Sequence, residues 1–271
     1  MIRIDDGGDE RLADYAGVAD PSILGQRGLL IAEGRFVVRR VFDAPGIRLK
    51  SMLLNDAALH ALGDLVERSD PDLPVYVAPA DVIRAVAGFR MQRGCLAVAH
   101  RPEPIGIEAL VDNSRLILVL ERVVDADNVG SIFRAAEAFG VDGVLLSPGC
   151  CDPFYRKALR TSSGAAAIVP STEASAWPDA LDLLRAKDFT IAATTPAGKA
   201  VDIATFVASH AATGRVAVLA GTEGHGLTEA ALARADVHVR IPMRPSLDSL
   251  NVAMATGIVL QRLHERRRQV R

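Results

Sequence analysis

Three short segments carry polar residues and glycines where a buried α/β core would supply aliphatics: Asp127-Asn128-Val129-Gly130-Ser131-Ile132-Phe133-Arg134, Gly221-Thr222-Glu223-Gly224-His225-Gly226, and Ile241-Pro242-Met243 followed by Ser249-Leu250-Asn251-Val252-Ala253. Each follows an apolar run that reads as a strand, so all three can meet at the carboxyl edge of one sheet. The glycines after Leu219-Ala220 permit positive φ and close approach of backbone to a ligand, a geometry suited to backbone recognition of an adenine. Ser249-Leu250-Asn251 opens the last helical run with free amide donors, and Pro245 restrains the loop before it. Alone, a glycine-rich turn is usually a turn and a serine before an apolar run usually a cap. Three such segments in one order argue for a site.

The elements that must position them follow from periodicity. Strands are predicted at 116–120, 143–146, 190–193, 216–220 and 237–241, with helical patterns between them. The helix after the first strand is predicted to start at Asp127 or Asn128 and stop at Gly140. Its buried stripe is Ile132, Phe133, Ala136 and Phe139, which leaves Arg134 near the amino end and off that stripe. The last helix is predicted from about Ser249 through Val252, Ala255, Ile258, Val259 and Leu263 into an arginine tail. Ahead of these lies a smaller alternation: an apolar run at 29–32 leading into a helix over 34–41, strands at 51–54, 75–77 and 94–99, and helices at 57–67 and 80–86. Arg101-Pro102-Glu103-Pro104 breaks it. The expected division is an acidic leader, partly disordered, at 1–20, a first domain at 21–101, a linker at 102–114 and a second domain at 115–271.

A chain of 271 residues, 49% hydrophobic, can bury two modest cores. It contains no apolar run of the roughly 18–20 residues that cross a bilayer, and its start lacks a signal layout, so a cytoplasmic protein without membrane contact is expected. Cys95 stands alone and Cys150-Cys151 are adjacent, a spacing that suits neither a zinc site nor a disulfide framework; reduced structural thiols and no metal are expected. The net charge of −2 does not suggest a nucleic-acid partner, but its distribution is uneven. Asp5, Asp6, Asp9, Glu10, Asp14 and Asp20 crowd the leader. Arg35, Arg39, Arg40, Arg48 and Lys50 follow, then Arg84, Arg90 and Arg93, and the chain closes on Arg262, Arg266, Arg267, Arg268 and Arg271. These clusters read equally as solvated faces and as phosphate contacts. A dehydrogenase is the obvious rival for such alternation, yet no Gly-x-Gly-x-x-Gly turn opens a helix after a strand, and Glu223 beside Gly224-His225-Gly226 would repel a pyrophosphate.

In this order the three segments resemble the SpoU (TrmH) family of RNA 2′-O-methyltransferases, strongly from Leu116 to Leu263 and more loosely from Leu29 to His100. The resemblance implies an α/β fold: a parallel-sheet SPOUT methyltransferase domain with a trefoil knot, preceded by a small α/β ribosomal-protein-like RNA-binding domain over residues 21–101. It also implies S-adenosyl-L-methionine as cofactor and a homodimer whose site is completed across the interface. Matched residue by residue, it assigns catalytic roles to Asn128, Arg134, Glu223, Ser249 and Asn251. It assigns donor binding to Gly221, Ile241 and Leu250, with Thr194 and Thr195 lining the same pocket. Ala253 departs from the family pattern, where many relatives carry serine, while its neighbour Asn251 is intact.

The implied reaction is in-line displacement at a sulfonium methyl by a ribose 2′-hydroxyl, the group that distinguishes RNA from DNA. The family view has Arg134 activate that hydroxyl. A guanidinium carries only donors, so it acts as a base only if an RNA phosphate first takes its proton; holding a phosphate and stabilising developing negative charge is the favoured role. His225, in a glycine turn with no neighbour in sequence to orient it, reads as incidental. Ribosomal RNA is the first expectation, because many relatives that modify it carry a separate amino-terminal module. Transfer RNA, a resistance-type rRNA methyltransferase, and a non-catalytic RNA-binding protein of the same fold are the alternatives.

Overall fold

The computed structural model describes residues 1–16, 21–88, 94–196, 199–209, 213–222, 224–244 and 246–269. Asp20, Arg90, Arg93, Glu223, Pro245 and Arg271, singled out above, lie outside them. In chain order the elements are β1 (Ile2–Arg3), α1 (Pro21–Gln26), β2 (Leu29–Glu33), α2 (Arg35–Phe42), β3 (Arg48–Leu54), α3 (Asp56–Ala61), α4 (Gly63–Arg68), β4 (Val75–Val77), α5 (Ala80–Ala87) and β5 (Cys95–His100). There follow α6 (Ile107–Asp112), β6 (Leu116–Glu121), α7 (Ala126–Ala138), β7 (Gly143–Leu146), α8 (Arg156–Thr161), β8 (Ser171–Glu173), α9 (Ala180–Ala186) and β9 (Phe189–Thr194). The last are β10 (Val201–Asp202), α10 (Ile203–Ala208), β11 (Arg215–Gly221), α11 (Glu229–Leu232), β12 (Val237–Arg240) and α12 (Val252–Gln269). The chain forms two compact units, Met1–Glu103 with Pro153–Ile168, and Pro104–Asp152 with Val169–Arg271.

The first unit is built on a mixed sheet in the order β1-β4-β3-β5-β2, with β1, β4 and β3 parallel and β5 antiparallel to both neighbours. Its core takes in Ile31, Leu53, Leu96 and Val98 from the strands and Leu12 and Tyr15 from the leader. The expectation of a partly disordered leader is therefore corrected over its described residues: Ile2–Arg3 pairs with β4, a 3₁₀ turn spans Glu10–Tyr15, and the buried Tyr15 hydroxyl shares a 2.7 Å hydrogen bond with Ser51 Oγ. Acidic composition predicts disorder only where no apolar anchor is present, and here Ile4, Leu12 and Tyr15 supply three.

Much of the neighbouring basic charge is matched. Arg39 pairs with Asp64, Lys50 and Arg27 both with Asp14, Arg68 with Asp43 and Arg3 with Asp56. Glu33, which ends β2 nearly buried, accepts from Arg156 at 2.5 Å and from Arg160 at 3.2 Å on α8, one turn apart on the same face. A carboxylate taken out of water needs such partners. Burial pushes the Cys95 thiol up to about 12 and Cys150 upward as well, so neither is a ready thiolate.

Among the described residues the second unit carries seven parallel strands in the order β10-β12-β9-β11-β6-β7-β8. Its central strands β6 and β11 are almost wholly buried apolar runs, as a sheet covered on both faces requires. From β6 the chain steps to β7 and β8 on one side and later returns to fill the other, so the order reverses between β6 and β11. Open parallel sheets bind ligands at such a reversal, outside the carboxyl ends of the strands. α12 packs against α7. The fold class matches expectation as an α/β chain with a parallel-sheet second domain; the sheet of the first unit is mixed.

Several boundaries differ from the prediction, among them the helix over 57–67, which is split into α3 and α4, and three others near the site and linker. The N-cap of α7 is Asp125, whose side chain accepts from the amides of Asp127 and Asn128. α12 starts at Val252, capped by Asn251, and not at Ser249. The predicted linker 102–114 contains α6. No helix among the described residues is long and apolar enough to cross a membrane.

Candidate active site

The segments leaving β9, β11 and β12, together with the first turn of α12, enclose a cavity of about 590 Å³. Small-molecule sites commonly fall between about 300 and 1,000 Å³. All five residues assigned to donor binding line it: Thr194, Thr195, Gly221, Ile241 and Leu250. Ser249, Asn251 and His225 line it as well, His225 exposed and without a hydrogen-bond partner among the described residues. Sequence reasoning missed the apolar part of the wall, which includes Leu227, Leu232, Val239 and Val252. Nothing local distinguishes these four from ordinary core positions.

Backbone geometry shapes the walls. Thr194 Oγ1 donates to Leu219 O at 2.9 Å, tying the end of β9 to β11, and Thr195 N donates to Val239 O at 3.0 Å, tying it to β12. The segment after Gly221 folds back as a tight hairpin. Thr222 and Gly226 form an isolated antiparallel bridge, with Gly226 N donating to Thr222 O at 3.0 Å, and Gly224 and Gly226 adopt φ of 84° and 67°. The return limb runs so close over Gly221 that a Cβ there would lie 2.5 Å from Gly226 C and 2.6 Å from Leu227 N. Gly221 is thus required by close approach of backbone rather than by its own dihedrals.

The first and third segments meet through two amides. Asn251 Oδ1 accepts from Ala253 N at 3.0 Å and Met254 N at 3.2 Å, capping α12. That fixes which way its amide points, and Nδ2 donates to Asn128 Oδ1 at 2.8 Å. Asn128, half-buried in the first turn of α7, is so fastened to the cavity rim across 123 residues of sequence. Arg134 is not among the residues that line the cavity. It stands with Asp127, Ser131 and Ala138 on the exposed face of α7, and has no hydrogen-bond or ion-pair partner among the described residues. Among the described residues no cluster of His, Cys, Asp or Glu could hold a metal ion.

A parallel α/β sheet with a cavity at its strand ends, walled by a glycine hairpin, hydroxyls and a helix start, is the architecture of a small-molecule-binding enzyme domain. The SpoU rRNA methylase family matches residues 115–261, and the chain belongs to this family of RNA 2′-O-methyltransferases, whose methyl donor is S-adenosylmethionine. It is 41% identical over 260 residues to an uncharacterised tRNA/rRNA methyltransferase of Mycobacterium bovis, covering 93% of this chain and 88% of that one. It is 26% identical to the 23S rRNA (guanosine(2553)-2′-O)-methyltransferase RlmP of Bacillus subtilis, covering 97% and 99% of the two chains. The crystal structure of an AdoMet-bound rRNA methyltransferase from Sinorhizobium meliloti superposes with a TM-score of 0.80 at 23% identity, covering 97% of each chain, a likeness of fold.

Proposed function

We propose that this chain methylates a ribose 2′-hydroxyl of ribosomal RNA, with S-adenosylmethionine held in the cavity at the ends of β9, β11 and β12. The observation that carries this reading is the convergence of Thr194, Thr195, Gly221, Ile241 and Leu250 on one cavity whose rim is hydrogen-bonded to Asn128. The cavity suits the donor. It has room for a nucleoside and an amino-acid chain, apolar walls at Leu227 and Val239 for an adenine, and the glycine turn at Gly221 and Gly224 beside them. When bound, the donor supplies an electrophilic methyl group on a sulfonium.

The chain's own residues then orient and stabilise. Asn128, whose Oδ1 is taken by Asn251, offers its amide NH₂ to the ribose or its phosphate. Ser249 stands at the rim as a further hydrogen-bonding group. Arg134 clamps an RNA phosphate and stabilises charge building on the 2′-oxygen as its proton leaves. Holding two reactants in line is worth up to about 7–11 kcal/mol in well-oriented systems.

Arg134 belongs to the reaction only if something brings it to a cavity it does not line in its own chain. A homodimer does so. The flank of α12 beside the end of α7 carries an apolar groove, lined by Phe139, Ala253, Met254, Gly257 and Ile258, with Met254 58% exposed, and a second copy of this chain is its proposed occupant. In that arrangement Arg134 serves the partner's cavity. Met254→Glu should convert the protein to monomer in analytical ultracentrifugation and remove most transfer activity; a fully active monomer would overturn the two-chain site. The same reading takes the trefoil knot as the path by which the third segment reaches the cavity, and the first unit as the RNA-binding module.

Support for ribosomal RNA comes from the B. subtilis relative, which spans both units and is described as acting on 23S rRNA. Transfer RNA stays in play through the M. bovis relative, described as a tRNA/rRNA methyltransferase. The test is transfer of radiolabelled methyl from S-adenosylmethionine to ribosomal and transfer RNA fractions in parallel. Label confined to ribosomal RNA is expected; label confined to transfer RNA would replace the substrate assignment.

A further inference from the structure

A fully buried carboxylate lies directly beneath the glycine hairpin. Glu121 ends β6, is 0% exposed, and pairs in register with Gly221 on β11. An ionised carboxylate has only acceptors, and each one left empty in the interior is costly. Here three donors meet it: Trp177 Nε1 at 2.6 Å and Thr228 Oγ1 at 2.8 Å on Oε1, and Thr228 N at 2.9 Å on Oε2. The Thr228 hydroxyl also accepts from Ala231 N at 3.3 Å, so its proton is committed to Glu121 and its lone pair to the start of α11.

Thr228 is where the hairpin's return limb becomes α11. On either side of it stand Leu227 and Leu232, both of which line the cavity and pack against the core cluster beneath it. Thr228 is itself exposed, so beside the Gly226–Thr222 bridge and the packing of Leu227, the hydrogen bonds to Glu121 form the side-chain tie of this limb to β6 among the described residues. Trp177, on the segment leading into α9, is held by the same oxygen.

We infer that Glu121 is a positioning residue for methyl-donor binding: its buried carboxylate, by gripping Thr228 at both backbone and hydroxyl, sets the wall of the cavity that the hairpin forms. The inference rests on the proposed donor site. Glutamine at 121 has the same shape, but one of its two ends is an NH₂ that must face a donor, either the Thr228 amide or the Trp177 indole. It therefore unlocks the hairpin without emptying the core.

The experiment is calorimetric titration of the intact protein with S-adenosylmethionine, alongside steady-state kinetics, for Glu121→Gln, Thr228→Val and Thr228→Ser. Glu121→Gln and Thr228→Val are expected to weaken donor binding roughly tenfold to hundredfold and to raise the donor KM in step. The kcat at saturating donor should stay within about threefold. Thr228→Ser, which keeps the hydroxyl, should bind like wild type. Donor affinities of Glu121→Gln and Thr228→Val equal to wild type, or a loss in kcat with KM unchanged, would overturn the inference. If Glu121→Gln does not fold, the Thr228 pair decides by itself. A wild-type protein that binds no donor overturns the donor-site reading and this inference with it, whereas a binding wild type with unmoved variants overturns the inference alone.

Discussion

Replacing Arg134 with alanine is expected to lower methyl transfer by about 10²–10³-fold, the usual loss when one group that stabilises a developing oxyanion is removed. Donor affinity and thermal midpoint should barely move. Arg134 is exposed on α7, makes no hydrogen bond or ion pair with described residues and does not line the cavity, and alanine is an even better helix former. The check is single-turnover transfer at saturating donor, with a melting curve as control. Loss of folding or of donor binding in place of the chemical step would assign Arg134 a structural role. The two-chain site adds a sharper expectation. Mixing the Arg134→Ala protein with a donor-blind variant should restore part of the activity, because one cavity of each mixed dimer would then receive an intact arginine. Two dead proteins that stay dead on mixing would place Arg134's action within its own chain.

Gly221→Ala supplies that donor-blind variant. The added methyl would sit 2.5 Å from Gly226 C, 2.6 Å from Leu227 N and 2.7 Å from Gly226 O, all backbone atoms with no rotamer to relieve the clash. Overpacking of this kind costs about 1–3 kcal/mol in stability, a drop of several degrees in midpoint. The larger effect is local. The hairpin must lift off β11, and donor affinity should fall by at least about a hundredfold, since 2.7 kcal/mol of misplacement already removes that much. Equilibrium dialysis with labelled S-adenosylmethionine measures it. A Gly221→Ala protein with wild-type affinity would mean that the return limb is not a wall of the donor site.

Much of this architecture was legible before any coordinates. Uninterrupted apolar runs such as those of β6 and β11 announce central strands of a covered parallel sheet, and their glycine or polar endings mark where a ligand can approach. The short edge strands β8, Ser171-Thr172-Glu173, and β10, Val201-Asp202, were not foreseen, because neither carries an apolar run or an alternation long enough to register. The Asn128–Asn251 and Glu121–Thr228 contacts, 123 and 107 residues apart, follow from the order in which strands enter the sheet, which no local pattern encodes. Glu121 did leave a trace, a lone acid closing the run Leu116-Ile117-Leu118-Val119-Leu120. Read locally it is merely the end of a strand. The leader misled in the opposite direction: its many acids suggested a solvated tail, while the buried residues that decide the matter, Ile4, Leu12 and Tyr15, are too few and too scattered to form a pattern.

On the proposed reading of the first unit as the RNA-binding module, its paired charges bear on how that binding should respond to salt. A free arginine that meets a phosphate releases a condensed cation into solution, and each such contact steepens the fall of affinity with ionic strength. Arg27, Arg39, Lys50 and Arg68 already hold carboxylates, so engaging a phosphate there means exchanging one anion for another, with the displaced aspartate left to be neutralised in turn. The logarithmic salt slope should therefore fall well short of the number of basic side chains on this unit. Affinity would then survive at ionic strengths that strip RNA from a purely cationic surface, and would depend correspondingly more on the shape of the RNA it meets.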